Sequence, residues 1–243
     1  RPSKVKTKKV LIINVYFAPQ SIGGATRVAQ DYVREMLDDP NTNYEVTILC
    51  TEFDHWQSDN GQKRPPKQRS EEAIPFKIIQ ATQQHADKLS NHNPDLQTLR
   101  EINKEIDEEV INFREQISLD VSFWHGARVV RLNVTGKPWS IHEDKAIEEF
   151  CTEFFAKEQF DEIQCHCCQI ITASPLIVAN NMKIPYDIIM HDAWWMSPEQ
   201  FLVSKSGSVI DPSDPLGHFD KEPNEEEIIE ALERREFLFG ILK

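Results

Sequence analysis

From Lys9 to Leu37 the hydrophobic pattern changes period once. Val10 to Val15 is a nearly continuous apolar run rich in β-branched residues, as expected of a parallel strand covered on both faces. Ala18-Pro19-Gln20-Ser21-Ile22-Gly23-Gly24 cannot extend it, because Pro19 lacks a backbone donor and glycines favour turn geometry. From Thr26 the apolar residues fall in pairs at helical spacing, Val28/Ala29, Tyr32/Val33 and Met36/Leu37, which predicts a helix. Tyr44 to Cys50 predicts a second parallel strand after the Asp38-Asp39-Pro40-Asn41 turn. Strand, helix and strand in this order read as a right-handed βαβ unit.

Residues 54 to 72 are polar, contain Pro65-Pro66, and read as an exposed loop before a third strand at Ile74 to Gln80. The rhythm then breaks. Leu99, Ile102, Ile106, Val110, Phe113 and Ile117 step by three or four, an amphipathic helix capped near Asn93-Pro94, so a helical insertion is expected over about 81–126. Ala127 to Val134 resumes as a strand that ends at Thr135-Gly136-Lys137-Pro138. Beyond it, the pattern predicts a helix from His142 to Glu158, a strand from Asp161 to His166, a helix from Gln169 to Met182 with Pro175 near its first turn, and a strand from Tyr186 to His191. A Gly, Pro, Ser and Asp loop covers residues 203 to 222. Asn224 with Glu227 then makes a capping box that opens a last helix through Ile228/Ile229, Leu232 and Phe239.

The expected fold is therefore α/β: one Rossmann-like domain over residues 1–243, mainly parallel, with helices on both faces. Ligands of such sheets bind beyond the carboxyl ends of the strands. Gly23-Gly24 after the first strand, His166 after the Asp161 strand and His191-Asp192 after the Tyr186 strand all fall on that edge. A glycine loop opening a helix exposes unpaired N–H groups in a positive potential, which suits a phosphate or another anion. Gly23-Gly24 is neither the dinucleotide G-x-G-x-x-G nor a P-loop; a plain turn is the competing account.

Composition narrows the partners. The net charge of −13 argues against a general nucleic-acid binder, which needs a basic face. Cys50, Cys151, Cys165, Cys167 and Cys168 are odd in number and three are bunched, a poor disulfide framework that fits a reducing cytoplasm. Cys165-His166-Cys167-Cys168 lacks the C-x2-C spacing of zinc sites, since neighbours on a strand point to opposite faces. No metal is expected, and the cysteines read as small buried hydrophobes. A metal-dependent phosphohydrolase built on His191-Asp192 and His166 fails because such enzymes are all-helical, whereas His191 here ends a strand. Trp194 and Trp195 are either core or an aromatic floor for a sugar beside the cleft. The basic start, Arg1 to Lys9, leaves open a peripheral contact with the inner membrane face. With no initial methionine and an apolar last helix, the chain is expected to be a piece of a longer protein.

The loop Pro19-Gln20-Ser21-Ile22-Gly23-Gly24-Ala25 in its strand–helix setting resembles the opening of family-4 glycosyltransferases of the GT-B fold. Phe160-Asp161 through Cys165-His166-Cys167 and Ile184-Pro185 to His191-Asp192-Ala193-Trp194-Trp195-Met196-Ser197-Pro198-Glu199-Gln200-Phe201 is similar to the matching region of bacterial members. The resemblance covers roughly residues 8 to 50 and 140 to 243. It implies the amino-terminal, acceptor-side domain of a retaining, metal-independent enzyme that moves a sugar from a nucleotide-sugar donor to a glycan or lipid-linked acceptor, without other cofactors. It further implies that Gly23 and Gly24 approach the donor diphosphate, that His166 stands near the reacting sugar, and that His191 and Asp192, with Trp194 and Trp195, line the cleft. The donor-binding domain with its E-x7-E motif is absent from this chain, so the piece alone is expected to be inactive. Two alternatives stand beside this reading: a non-catalytic Rossmann-like module that recognises a glycan or partner, and a nucleotide-sugar epimerase, which the missing G-x-G-x-x-G and Tyr-x-x-x-Lys disfavour.

Overall fold

The structure, a computed structural model, describes residues 7–18, 23–52, 118–133 and 141–243. The basic start to Lys6, the expected strand at 74–80, the loop at 54–72, the helix through Leu99 to Ile117 and the 135–138 strand end lie outside the described residues.

The centre of the sheet is β1 (Thr7–Asn14), buried from Val10 onward. Successive side chains of a strand leave on opposite faces, and both faces are covered here. Val10 and Ile12 pack with Ala29 and Val33 of α1 (Gly23–Asp38) and with Val46 and Ile48 of β2 (Asn43–Glu52). Leu11 and Ile13 enter a larger cluster with Ile147, Phe150 and Phe154 of α2 (Lys145–Glu158) and Leu176 of α3 (Ser174–Met182). That two-sided burial explains the unbroken apolar run. Truncating such an isoleucine to alanine costs about 2–5 kcal/mol.

The remaining strands are β3 (Ser118–Trp124), β4 (Ala127–Asn133), β5 (Glu162–Cys167) and β6 (Tyr186–Ile188), and α4 (Glu225–Ile241) closes the described chain. The sheet order is β3-β4-β2-β1-β5-β6. All neighbours are parallel except β3 and β4. Counting only the parallel strands in chain order, the sequence of places is 3-2-1-4-5. The winding therefore reverses between β1 and β5, and a crevice beyond their carboxyl ends is where open α/β sheets bind ligands.

Four expectations need correction. Residues 118–124, taken into the helical insertion, form strand β3, joined to β4 through His125 and Gly126 with φ of 49° and 93°. Consecutive positive φ values are the mark of a type I′ hairpin turn, whose twist matches that of the strands. The α1 helix is entered at Gly23, three residues ahead of Thr26 where the apolar pairs set in, with Gly23 itself at φ of 76° as the turn into it. The α3 helix begins at Ser174, five residues after Gln169, because Ile170 and Thr172 adopt φ of 70° and 71°, which no helix accommodates. Pro175 does lie in its first turn, where a missing N–H costs nothing. The β6 strand stops at Ile188, leaving His191 and Asp192 in the loop that follows.

At the carboxyl end of the chain the capping box forms as the sequence predicts. Asn224 Oδ1 accepts the Glu227 N–H at 3.0 Å, and Glu227 Oε2 accepts the Asn224 N–H at 2.9 Å. The helix it opens carries Arg234 and Leu238 into the core, and Arg234 donates to the Trp194 carbonyl at 2.5 Å with its guanidinium over the Trp194 ring. Burial lowers the Arg234 pKa to about 10. The four described cysteines of α2, β5 and the turn after it (Cys151, Cys165, Cys167, Cys168) and Cys50 of β2 are all free and buried. Burial drives the Cys167 thiol up to about 12 and Cys168 well above its ordinary value, which makes both poor nucleophiles.

Candidate functional site

The loop leaving β1 is held carbonyl by carbonyl. Thr51, at the end of β2, donates to the Val15 carbonyl from both its N–H (2.9 Å) and its hydroxyl (2.8 Å). Asn14 Nδ2 donates to the Tyr16 carbonyl at 2.5 Å and to Thr26 Oγ1 at 3.3 Å. Arg131 of β4, itself buried, donates to the Ala18 carbonyl and to Ser122 Oγ. These ties hold residues 15–18 against the sheet; Gly23 has φ of 76° with open space where a Cβ would stand. Glycine is needed there for its backbone angle rather than for room. Gly23 and Gly24 are exposed, and the first turn of α1 contains no acidic side chain that would offset the positive end of the helix.

Across the switch point, β5 delivers His166. Its neighbours Cys165 and Cys167 pack into the α2/α3 core, so His166 projects to the opposite face, beneath α1, where the Tyr32 ring meets it edge-on at 5.4 Å. Asn14 occupies the adjacent position on β1, registered with Cys167. On its other side His166 Nδ1 lies 3.0 Å from His191 Nε2, with the two ring planes within 18° of each other. His166 is 1% exposed. Its pKa falls to about 4 because burial penalises the imidazolium, with the His191 charge adding to the effect. Burial also lowers His191, against the pull of Asp192. Both rings are therefore neutral near pH 7.

Gln169 follows β5 and braces the 191–200 loop. Its Nε2 donates to Asp192 Oδ2 at 2.8 Å and to Gln200 Oε1 at 3.3 Å. Asp192 Oδ1 accepts the Trp194 N–H at 3.0 Å. Each Asp192 oxygen thus has a partner within the protein, so its evident work is to shape the loop. Trp194 and Trp195 are 1% and 3% exposed and belong to the core. Of the two accounts the sequence left open, the core account describes them, and neither presents a free aromatic face as a sugar floor.

Three side chains around the crevice carry a buried polar atom without a hydrogen-bond partner among the described residues: Asn14 Oδ1, His166 Nε2 and Gln169 Oε1. Buried polar groups are paired in the great majority of cases; Gln164 Oε1 on β5 and Arg235 Nη1 on α4 are two further exceptions, and the other three gather at this edge. Their gathering coincides with strain. Ile170 and Thr172 are β-branched residues in the left-handed region, both fully buried, and such outliers gather where a surrounding structure is built for binding or catalysis.

Gly23, Gly24, His166, His191 and Asp192 are therefore brought to one edge. Sequence reasoning missed Asn14, Gln169 and Tyr32. A polar residue closing an apolar strand was the available signal for Asn14; the other two declare themselves only through contacts across the sheet. A separate open groove of about 710 Å³ lies between the 194–219 loop and α4, lined by Trp194, Phe201, His218, Phe219 and Arg234 among others. It includes neither His166 nor Gly23, and its nearest link to the crevice is Gln200. Because the unpartnered polar atoms of Asn14, His166 and Gln169 lie at the switch point, that crevice is the stronger candidate. Among the described residues no group of three or more His, Cys, Asp or Glu could hold a metal ion, and no helix is long and apolar enough to cross a membrane. Comparison with protein families, with curated proteins and with solved structures finds no match for this chain.

Proposed function

We propose that this chain is the acceptor-side half of a GT-B glycosyltransferase, working in the cytoplasm on a glycan or lipid-linked acceptor and completed by a second, donor-binding Rossmann domain. The observation that carries this reading is the pairing of a positive helix start with a neutral, buried histidine across the switch point, linked by the Tyr32–His166 contact. A nucleotide-sugar donor needs both. Backbone N–H groups at Gly23 and Gly24 stabilise charge growing on the leaving diphosphate. A histidine kept neutral by burial orients a hydroxyl or accepts its proton. Retention of configuration and independence of metal follow from the family resemblance.

The test uses the longer protein. UDP-, GDP- and dTDP-sugars are screened by thermal shift, since a ligand at a hundred times its dissociation constant stabilises by about 2.7 kcal/mol. The donor that binds is then used to measure turnover. His166→Ala should remove most turnover and leave the fold intact. If no nucleotide sugar shifts the melting temperature, the glycosyltransferase reading falls and a non-catalytic module replaces it.

A further inference from the structure

When both imidazoles are neutral, a single proton lies between His166 Nδ1 and His191 Nε2, which are 3.0 Å apart. Two arrangements exist. Either His166 donates from Nδ1 and keeps a lone pair on Nε2, or His191 donates from Nε2 and His166 carries its proton on Nε2. The second leaves a buried N–H without an acceptor among the described residues, because His166 Nε2 has no partner there. Asn14 Oδ1 and Gln169 Oε1 do not rescue it: each is itself unpartnered, so neither accepts a hydrogen bond from that nitrogen. Orphaned buried N–H groups are rarer than under-used acceptors, and the first arrangement is favoured.

The two carboxamides are oriented by similar logic. Asn14 Nδ2 is spent on the Tyr16 carbonyl and Gln169 Nε2 on the Asp192 carboxylate. Turning either amide over would set an oxygen against an oxygen, so Oδ1 and Oε1 stay as the unpaired atoms. Nδ1 of His166 is taken by His191, and Asn14 closes the neighbouring strand β1 beside the end of β5.

We propose that His191 is a positioning residue: by accepting the Nδ1 proton of His166 it fixes Nε2 as an acceptor, which with Asn14 Oδ1 and Gln169 Oε1 gives the crevice a floor that receives ligand hydroxyls. The proton arrangement stands on the 3.0 Å contact between two neutral rings and on the unpartnered Nε2, and only the identity of the hydroxyls as those of a sugar rests on the glycosyltransferase reading. Tyr32, 40% exposed, packs edge-on against His166 beside this acceptor. An acceptor-only floor repels phosphate oxygens, so the diphosphate belongs at Gly23 and the hydroxyls at His166.

Long-range proton–nitrogen NMR of the imidazoles in the full chain at pH 7 reads the arrangement directly, with His166 assigned by the signals lost in His166→Asn. The expected wild-type spectrum has His166 protonated on Nδ1 and bare on Nε2. His191→Gln, whose Oε1 can accept the same proton, retains this pattern; His191→Leu, which cannot, moves most of the proton to Nε2. Sulfate, an acceptor-only anion, leaves the Nε2 resonance in place, and a nucleotide sugar that raises the melting temperature moves it. A wild-type proton on Nε2, an unchanged pattern in His191→Leu, or a bound nucleotide sugar that leaves Nε2 unmoved would each overturn the proposal. Failure of every nucleotide sugar to bind overturns the glycosyltransferase reading instead, and leaves the wild-type proton arrangement as found.

Discussion

Gln169 Nε2 donates to Asp192 Oδ2 at 2.8 Å, joining the turn after β5 to the loop after β6. The same carboxylate accepts the Trp194 N–H through its other oxygen, so one side chain sets both the loop and the orientation of the Gln169 amide. Asp192→Ala removes both bonds and leaves two donors without their partner. A hydrogen bond to a charged group contributes about 1.5–3 kcal/mol, and Asp192 is only half-buried, so the expected loss is about 2 kcal/mol, read from the urea midpoint. Asp192→Asn should cost less, because Gln169 can turn its amide and present Oε1 to the new Nδ2. An Asp192→Ala midpoint equal to wild type would show that the brace contributes nothing.

The β3–β4 hairpin makes a backbone prediction free of packing effects. At Gly126 φ is 93°, and nothing lies within 4 Å of a Cβ placed there. Gly126→Ala therefore meets only the left-handed penalty, about 1 kcal/mol. Gly126→Asn should lose less, since asparagine tolerates this region better. Equal midpoints for wild type and both variants in urea would mean that the turn does not require positive φ.

The capping box at α4 offers a third measurement. Asn224→Ala frees the Glu227 N–H and should cost about 1 kcal/mol. Because α4 carries Arg234 and Leu238 into the core, the loss should appear in global stability as well as in amide exchange of the first turn. Faster exchange confined to residues 225–228 with an unchanged urea midpoint would instead describe local fraying.

These three sites differ in how legible they are in the sequence, and the reason is physical. A capping box is written in residues three apart, so Asn224 and Glu227 announce it. The central strand is equally plain, because covering it on both faces demands an unbroken apolar run at Val10 to Ile13. The β3 strand was also within reach: Leu119, Val121 and Phe123 alternate with polar residues ahead of a glycine turn, but the strong helical period ending at Ile117 was carried across them. Left-handed angles at Ile170 and Thr172 have no local signal, since both residue types disfavour that region; tertiary packing imposes them, and they displaced the predicted helix start to Ser174. The candidate site divides the same way. Gly23, Gly24, His166 and His191 could be placed from strand ends alone. Asn14 had only the signal of a polar residue closing an apolar strand, and Gln169 and Tyr32 join them through a bond and a ring contact between segments distant in sequence. Trp194 and Trp195 were ambiguous because a loop has no period from which burial can be read.

Acid should unfold this protein partly through its histidines. His166 is 1% exposed, and its pKa is pushed from 6.5 to about 4, chiefly by burial. Between those two values the unfolded chain binds a proton that the folded chain does not, so stability rises with pH across the window. The contribution is fully present above about pH 6.5 and is lost as pH falls toward 4. Its full size is on the order of 3 kcal/mol. His142, His191 and His218 are lowered in the same direction, each mainly by burial, and add to the slope. The carboxylates with lowered values, Asp39, Asp211, Asp220 and Glu162, act in the opposite sense of ionisation. Their stabilisation is lost only as pH falls below the ordinary carboxylate range near 4, beneath most of the histidine window. His166 alone should therefore contribute on the order of 2 kcal/mol to the difference between the urea-derived stabilities at pH 7 and pH 5 in wild type. In His166→Asn, which cannot take up the proton, the difference should shrink by about that amount. The same pH slope in both proteins would place the proton uptake elsewhere and remove the argument that His166 is held neutral.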